Sequence, residues 1–205
     1  YKRRTEAEFE KIASYIAGII QAKKGNYMVF FPSYKLLEQV YEKFLLSVSE
    51  EIRTMKQESG MKEEEREKFL EAFESSGESS MVAFCVLGGI FGEGIDLKEE
   101  RLIGVVIVGT GLPQIGNERE ILKTYFDQKS GNGFDYAYRY PGMNKALQAG
   151  GRVIRTAKDR GVIALLDERF LESAYRSLFP REWETYMVCM AGQVGEAVSE
   201  FWKKT

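Results

Sequence analysis

An α/β fold, with a mostly parallel sheet covered by helices on both faces, is what this 205-residue sequence predicts. Two observations carry that expectation. Short apolar runs such as Tyr27-Met28-Val29-Phe30-Phe31 and Met81 to Leu87 are nearly continuous, as in strands buried on both faces, rather than alternating as in strands with one wet face. Between those runs lie longer segments with apolar residues at helical spacing, so strands and helices take turns along the chain.

The elements follow in order. Residues 5–22 place Phe9, Ile12, Ala13, Ile16, Ala17 and Ile20 on one stripe, an amphipathic helix that Gly25-Asn26 stops. The strand 27–31 ends at Pro32, and Ser33 is placed to cap a helix over 34–48. A short strand near 52–57 and a charged helix over 62–74 follow. Met81 to Leu87 is the most strand-like stretch and runs into a glycine-rich segment, Gly88 to Asp96. Next come a strand at 103–108, Gly-Pro turn chemistry, a helix near 117–127, an irregular stretch at 130–142 and a helix over 142–157. The strand Val162 to Leu166 and helical segments at 168–178 and 193–203 complete the chain. No internal repeat or linker divides it, so residues 1–205 read as one domain.

Composition narrows the chemistry. There is no histidine, which excludes a Ser-His-Asp or Cys-His catalytic group, a histidine-containing zinc site and a DEAH-type box within these residues. Cys85 and Cys189 are too few to supply four thiolates to zinc or an iron–sulfur cluster, and such sparse cysteine suits a reducing cytoplasm. The longest apolar run, Met81 to Phe91, is too short to span a bilayer, so no membrane partner is expected. The chain opens on Tyr1 without a methionine, which points to a fragment. A net charge of −2 gives no global case for nucleic acid, so any such case must rest on local patches.

Charge is unevenly spread. Residues 50–78 hold ten acids and five bases, which reads as a solvated helix face with pairs such as Glu64–Lys68. Residues 142–161 reverse this, with Lys145, Arg152, Arg155, Lys158 and Arg160 against Asp159 alone. On a helical wheel Gln148, Arg152, Arg155 and Asp159 fall within about 60° of one another, opposite the small residues Ala146, Gly150, Val153 and Ala157. Two guanidiniums a turn apart are suited to grip a terminal phosphate, because the planar fork keeps its charge and matches phosphate oxygens. An exposed basic face paired with nearby acids is the plainer alternative.

Gln148-Ala149-Gly150-Gly151-Arg152-Val153-Ile154-Arg155 resembles motif VI of superfamily 2 helicases, Q-x-x-G-R-x-x-R. Its continuation from Thr156 to Phe170 is similar to the DinG/XPD branch. Gly92-Glu93-Gly94-Ile95-Asp96-Leu97 resembles that branch's motif V, and Val29-Phe30-Phe31-Pro32-Ser33-Tyr34 its motif IV. The three motifs occur in order across nearly the whole chain, and together they resemble the second, C-terminal RecA-like lobe only. The resemblance implies a RecA-like three-layer sandwich. It implies that Arg152 and Arg155 face the γ-phosphate of ATP held on a first lobe, Arg155 being the better finger, with Gln148 in the same cleft. Gly94 and Asp96 would lie at the nucleotide, Asp96 accepting from ribose hydroxyls, and Glu93 would link that site to DNA. Ser33 and Tyr34 would lie near the single-stranded DNA backbone. Walker A, the DEAH box and any cluster cysteines belong to the first lobe in this family, so ATP and Mg²⁺ would be bound mainly there and the isolated domain would be inactive.

Residue chemistry points the same way at several of these positions. Glycines after a parallel strand permit tight turns and leave backbone N–H groups open to anions at the end where α/β sheets bind ligands. Ser33, opening a helix, likewise exposes N–H groups to a phosphate, although a plain cap would look the same. Phe134-Asp135-Tyr136-Ala137-Tyr138-Arg139-Tyr140 mixes aromatic faces with one base, so Arg139 and the tyrosines are candidate contacts for unpaired bases, or else core packing. Val162 to Glu168 looks like a Walker B strand, but no G-x-x-x-x-G-K-[ST] loop accompanies it. The structural reading is a strand that closes the sheet, with Asp167 or Glu168 pairing Arg169 or capping the next helix. The functional expectation is therefore the C-terminal motor lobe of an ATP-dependent DNA helicase. The rival is a non-catalytic RecA-like module that binds nucleic acid or protein, and an unrelated nucleotide-binding α/β enzyme is a weaker third.

Overall fold

In the computed structural model, which describes residues 5–73, 79–91, 102–154 and 159–204, five strands form one all-parallel sheet in the order β2-β3-β1-β4-β5. The strands are β1 (Asn26–Phe31), β2 (Arg53–Lys56), β3 (Met81–Val86), β4 (Gly104–Val108) and β5 (Val162–Leu166). The helices are α1 (Glu6–Gln21), α2 (Tyr34–Leu45), α3 (Glu63–Glu71), α4 (Asn117–Ser130), α5 (Tyr140–Gly150), α6 (Ser173–Arg176) and α7 (Ala191–Lys203). The α/β expectation holds, and the three-layer character follows from the strands themselves. Alternate residues of β1 feed two separate cores: Tyr27, Val29 and Phe31 join α1, α2 and α7, whereas Met28 and Phe30 join α3 and α5. Every residue of β1 and β4 is buried, which is why these runs read as continuous rather than alternating.

Local chemistry sets the boundaries. Thr5 caps α1 by accepting from the Glu8 amide while Glu8 Oε2 accepts from the Thr5 amide at 2.9 Å, a reciprocal capping box. Ser33 Oγ accepts from the Leu36 amide at 3.3 Å and starts α2 directly after Pro32. Gly131, at φ +73°, ends α4 in the left-handed conformation. In the acidic segment Arg66 meets Glu63 at 3.5 Å, and the expected Glu64–Lys68 pair does not form. Asp167 accepts from the Arg169 backbone and binds its guanidinium at 2.7 Å, and β5 forms one edge of the sheet, both as the structural reading expected.

Two expectations fail at the ends of α5. The stretch 130–142 is helical from Gly133, and residues Asp135–Arg139 form a π-helical turn in which the Tyr140 amide donates to the Asp135 carbonyl. Pro141 has no N–H to return to the Ala137 carbonyl one α-turn back, and Arg119 Nη1 donates to that carbonyl instead at 3.3 Å. At the other end the helix stops at Gly150, not 157. Gly150 and Gly151 weaken the helix, and packing ends it: a side chain at Gly150 would collide with the Trp183 ring, and one at Gly161 with Val153. The chain then winds through i→i−3 bonds, from the Arg152 amide to the Ala149 carbonyl at 3.3 Å and from Val153 to Gly150 at 3.1 Å. Arg152 therefore leaves from a tight turn and does not continue the helical row begun by Gln148. Residues 168–178 are likewise two short pieces, a 3-10 turn at Glu168–Leu171 followed by α6.

Candidate functional site at the strand ends

The ends of β1 and β3 lie side by side, because Asn26 to Phe31 pair in register with Met81 to Val86. Each strand therefore delivers its exit loop to the same edge of the sheet, where α/β proteins bind ligands. From β1 the chain passes into Ser33 and Tyr34; from β3 it passes into Leu87, Gly88 and Gly89. A buried glutamine joins the two loops. Gln57 Nε2 donates to Tyr34 Oη at 3.0 Å, and Gln57 Oε1 accepts from the Val86 amide at 3.0 Å. Because the Tyr34 hydroxyl accepts from Gln57, its own proton is left to donate outward. The Gln57 amide also donates to the Phe84 carbonyl at 2.7 Å, extending the β2–β3 ladder by one residue.

The Gly88-Gly89 corner has neighbours on both flanks. Gly88 has φ +71°, a conformation that favours glycine, and a side-chain carbon there would lie 2.9 Å from Lys145 Cε and 3.2 Å from Lys145 Nζ. A side-chain carbon on Gly89 would lie 2.8 Å from Gln57 Nε2. Beyond the corner Phe91 is fully buried and stacks on Phe69 of α3 with centroids 4.1 Å apart, and Leu102 is buried in the same core. The stretch that resembles motif V, with Glu93, Gly94 and Asp96, lies outside the described residues, between Phe91 and Leu102 in the sequence.

Helix α5 runs from this edge toward the opposite one. Its start rests on the exit of β4, where a side chain on Gly142 would lie 2.6 Å from the Thr110 carbonyl; Thr110 is buried and its hydroxyl has no hydrogen-bond partner. Its far end reaches the beginnings of β4 and β5, where Val153 packs against Gly161 and Ile103 precedes β4. Of the expected small face Ala146, Gly150 and Val153 are buried and Ala157 lies outside the described residues; Ala149 is buried too, and Gln148 is exposed. Arg152 is half-buried, and its charge acts on Cys85 in β3. Burial drives the Cys85 thiol far up, and the Arg152 guanidinium pulls weakly the other way. Arg155 lies outside the described residues, and Asp159 and Arg160 sit in non-helical chain just before β5.

The aromatic stretch is knitted into the domain. Arg139 pairs with Asp135 at 2.5 Å and lies over Phe134 and Tyr175 at 5.5 and 5.2 Å from their centroids. Tyr138 is buried and donates to Glu120 at 2.5 Å, while Tyr136 stacks on Phe126 at 4.0 Å. Arg139 therefore lies apart from the Ser33–Tyr34 edge in bonding terms, held by partners of its own. Gln57 and the reach of Lys145 are the features that sequence reasoning missed. Gln57 sits in an acidic segment that reads as solvated surface, and nothing local marks it as buried.

Among the described residues no group of three or more His, Cys, Asp or Glu side chains could hold a metal ion, and no helix is long and apolar enough to cross a membrane. Residues 16–186 match the helicase C-terminal domain family. Over 80% of its length the chain is 30% identical to a probable ATP-dependent helicase of Methanocaldococcus jannaschii, covering 26% of that protein. Over 93% of its length it is 28% identical to the ATP-dependent DNA helicase XPD of Sulfolobus acidocaldarius, covering 32% of it. A solved structure of apo XPD matches 86% of the chain at a TM-score of 0.67 and 25% identity, with 35% of that structure covered. The chain thus spans roughly a third or less of the proteins it is similar to.

Proposed function

Because the chain belongs to the helicase C-terminal domain family, we propose that it is the C-terminal motor lobe of an ATP-dependent DNA helicase of the XPD/DinG branch. In this reading it completes a composite ATPase site with a first RecA-like lobe of the same polypeptide, and that first lobe holds most of the ATP and Mg²⁺. Arg152 and Arg155 face the γ-phosphate, Arg155 as the finger and Arg152 beside it, and Gln148 reports nucleotide state to lobe closure. Gly94 and Asp96 contact the nucleotide, and Glu93 connects that contact to DNA. Ser33 and Tyr34 meet the backbone of single-stranded DNA.

The observation that best supports the reading is the junction at the strand ends. Tyr34, in the segment resembling motif IV, is joined through Gln57 to Val86 at the end of β3, the adjacent parallel strand that precedes the segment resembling motif V. Along α5, Lys145 lies over Gly88, while the main chain at Gly150 and Val153 reaches Trp183 and Gly161. Arg139 is the weakest of the DNA-contact candidates, because its guanidinium is already engaged by Asp135 and two rings.

The test uses the full-length protein that carries this domain. Arg155→Ala is expected to lower DNA-stimulated ATP turnover by on the order of 10³-fold or more while nucleotide affinity changes far less. Turnover within a few-fold of wild type sinks the finger assignment. Single-stranded DNA affinity that does not respond to a non-hydrolysable ATP analogue would favour the binding-module alternative instead.

A further inference from the structure

Lys145 is a feature of the strand-end edge that the motif resemblance leaves without a role, and its surroundings are unusual for a lysine. The side chain projects from α5 over Gly88 and is half-buried there, with Cδ, Cε and Nζ all close to the position a side-chain carbon on the glycine would take. Among the described residues it makes no hydrogen bond or ion pair, in contrast to Lys43, Lys56 and Lys123, each held by a carboxylate within 3 Å. Burying a methylene stem while keeping the ammonium at the rim is favourable, but a rim ammonium without a counter-ion keeps its full attraction for an anion. The geometry around it favours a ligand over a protein partner. Gly88 and Gly89 offer no side chain to cover the ammonium, and against Gly89 lies Gln57, which donates to the Tyr34 hydroxyl at 3.0 Å. Lys145 and Gln57 thus flank consecutive glycines, whose Cα atoms are about 3.8 Å apart.

We propose that Lys145 is a phosphate contact for the single-stranded nucleic-acid backbone, working with Tyr34 across the Gly88-Gly89 corner. This rests on the motor-lobe reading and extends it to a residue on α5, outside the three motif segments. The mechanical consequence is specific. Lys145 and Gln148 are three residues apart on one helix and therefore share a face, so a phosphate gripped at Lys145 pulls on the element that leads directly to Arg152. A nucleotide phosphate would satisfy the same ammonium, and the experiment separates the two sources.

Anisotropy titrations of labelled oligo-dT onto the full-length protein, across a series of salt concentrations, test it with Lys145→Gln and Lys145→Arg. Gln is as good a helix former as Lys, and the side chain is only half-buried, so both variants are expected to fold. Lys145→Gln should weaken DNA binding several-fold at moderate salt and reduce the slope of log K against log salt by about 0.7, the loss of one phosphate contact on a single strand. Lys145→Arg, which keeps the charge, should restore the slope. An unchanged slope in Lys145→Gln overturns the inference and leaves the motor reading intact. A change confined to ATP-analogue affinity measured without DNA overturns it in favour of a nucleotide phosphate. If the wild-type protein itself fails to bind oligo-dT, the motor reading falls and takes this contact with it.

Discussion

On one side of the sheet α1, α2 and α7 bury Phe84 among aromatic rings. Phe31 stacks on it at 5.9 Å, Tyr41 meets it edge-on at 5.0 Å and Phe44 lies tilted at 5.1 Å. There α1 and α7 cross closely enough that a side chain on Gly18 would lie 2.9 Å from Val194 Cγ1, and one on Gly195 would lie 3.2 Å from the Gly18 carbonyl. On the other side α3 and α5 bury Phe69, Phe91, Met143 and Ala149, yet that layer also carries Arg152 half-buried and Lys145 laid over a glycine. The first layer mainly packs, and only the start of α2, at Ser33 and Tyr34, reaches the proposed site. The second packs the same sheet while delivering cations to its edges, and it does so by thinning its own cover to Gly, Ala and the stems of long side chains. A face built this way has less apolar area to lose, and its substitutions should register in ligand binding before they register in folding.

Three substitutions or conditions can break or sharpen that contrast. The largest effect is expected from Phe84→Ala, which empties the centre of the aromatic cluster and should cost about 3–5 kcal/mol in denaturant unfolding. The folded fraction should still bind DNA with wild-type affinity; a binding defect at saturating fold would erase the distinction between the layers. Gln57→Leu comes next. It removes the acceptor for the Val86 amide and the donor to Tyr34, so about 1–3 kcal/mol of stability should be lost. Here, unlike Phe84→Ala, single-stranded DNA affinity should fall as well, because the Tyr34 hydroxyl loses its orientation. The smallest effect concerns the end of α4. Its Asp127 carboxyl is held below the ordinary range, first by the Lys123 ammonium at 2.8 Å and then by the Gly133 amide. A depressed carboxylate stabilises the fold above its unfolded value of about 3.9 and ceases to do so as pH falls through the lower folded value. Amide exchange at Gly131 and Gly133 should therefore accelerate only in strong acid, and Asp127→Asn should remove that pH dependence.

Much of this arrangement was legible in the residues. β1, β3 and β4 were readable because strands buried on both faces are continuous apolar runs, and Pro32-Ser33 announced both the end of β1 and the cap of α2. The small face of α5 was also readable, since Ala146 and Gly150 have little else to do but approach a sheet. The end of α5 was not. A helical wheel assumes that winding continues, whereas Trp183 and Gly161, distant in sequence, close on the Gly150–Val153 segment and stop it. Lys145 was visible only as one charge in a basic patch, because its setting depends on the φ of Gly88 and on the direction of α5 relative to β3. Gln57 carried no signal at all. It lies between Lys56 and Glu58, and only the register of β2 against β3 turns it inward.

The π turn at Asp135–Arg139 has a consequence for how lengths can vary in this segment. A π turn holds one residue more than an α turn over the same rise, so it behaves as an insertion absorbed inside a helix. Deleting one residue within 135–139 would close the wide turn into an ordinary one and leave α5 in its present rotational phase, with Lys145 still over Gly88. Deleting one residue within α5, by contrast, would swing everything beyond the cut by about 100°. The segment therefore contains a slack link upstream of a stretch whose phase must be kept.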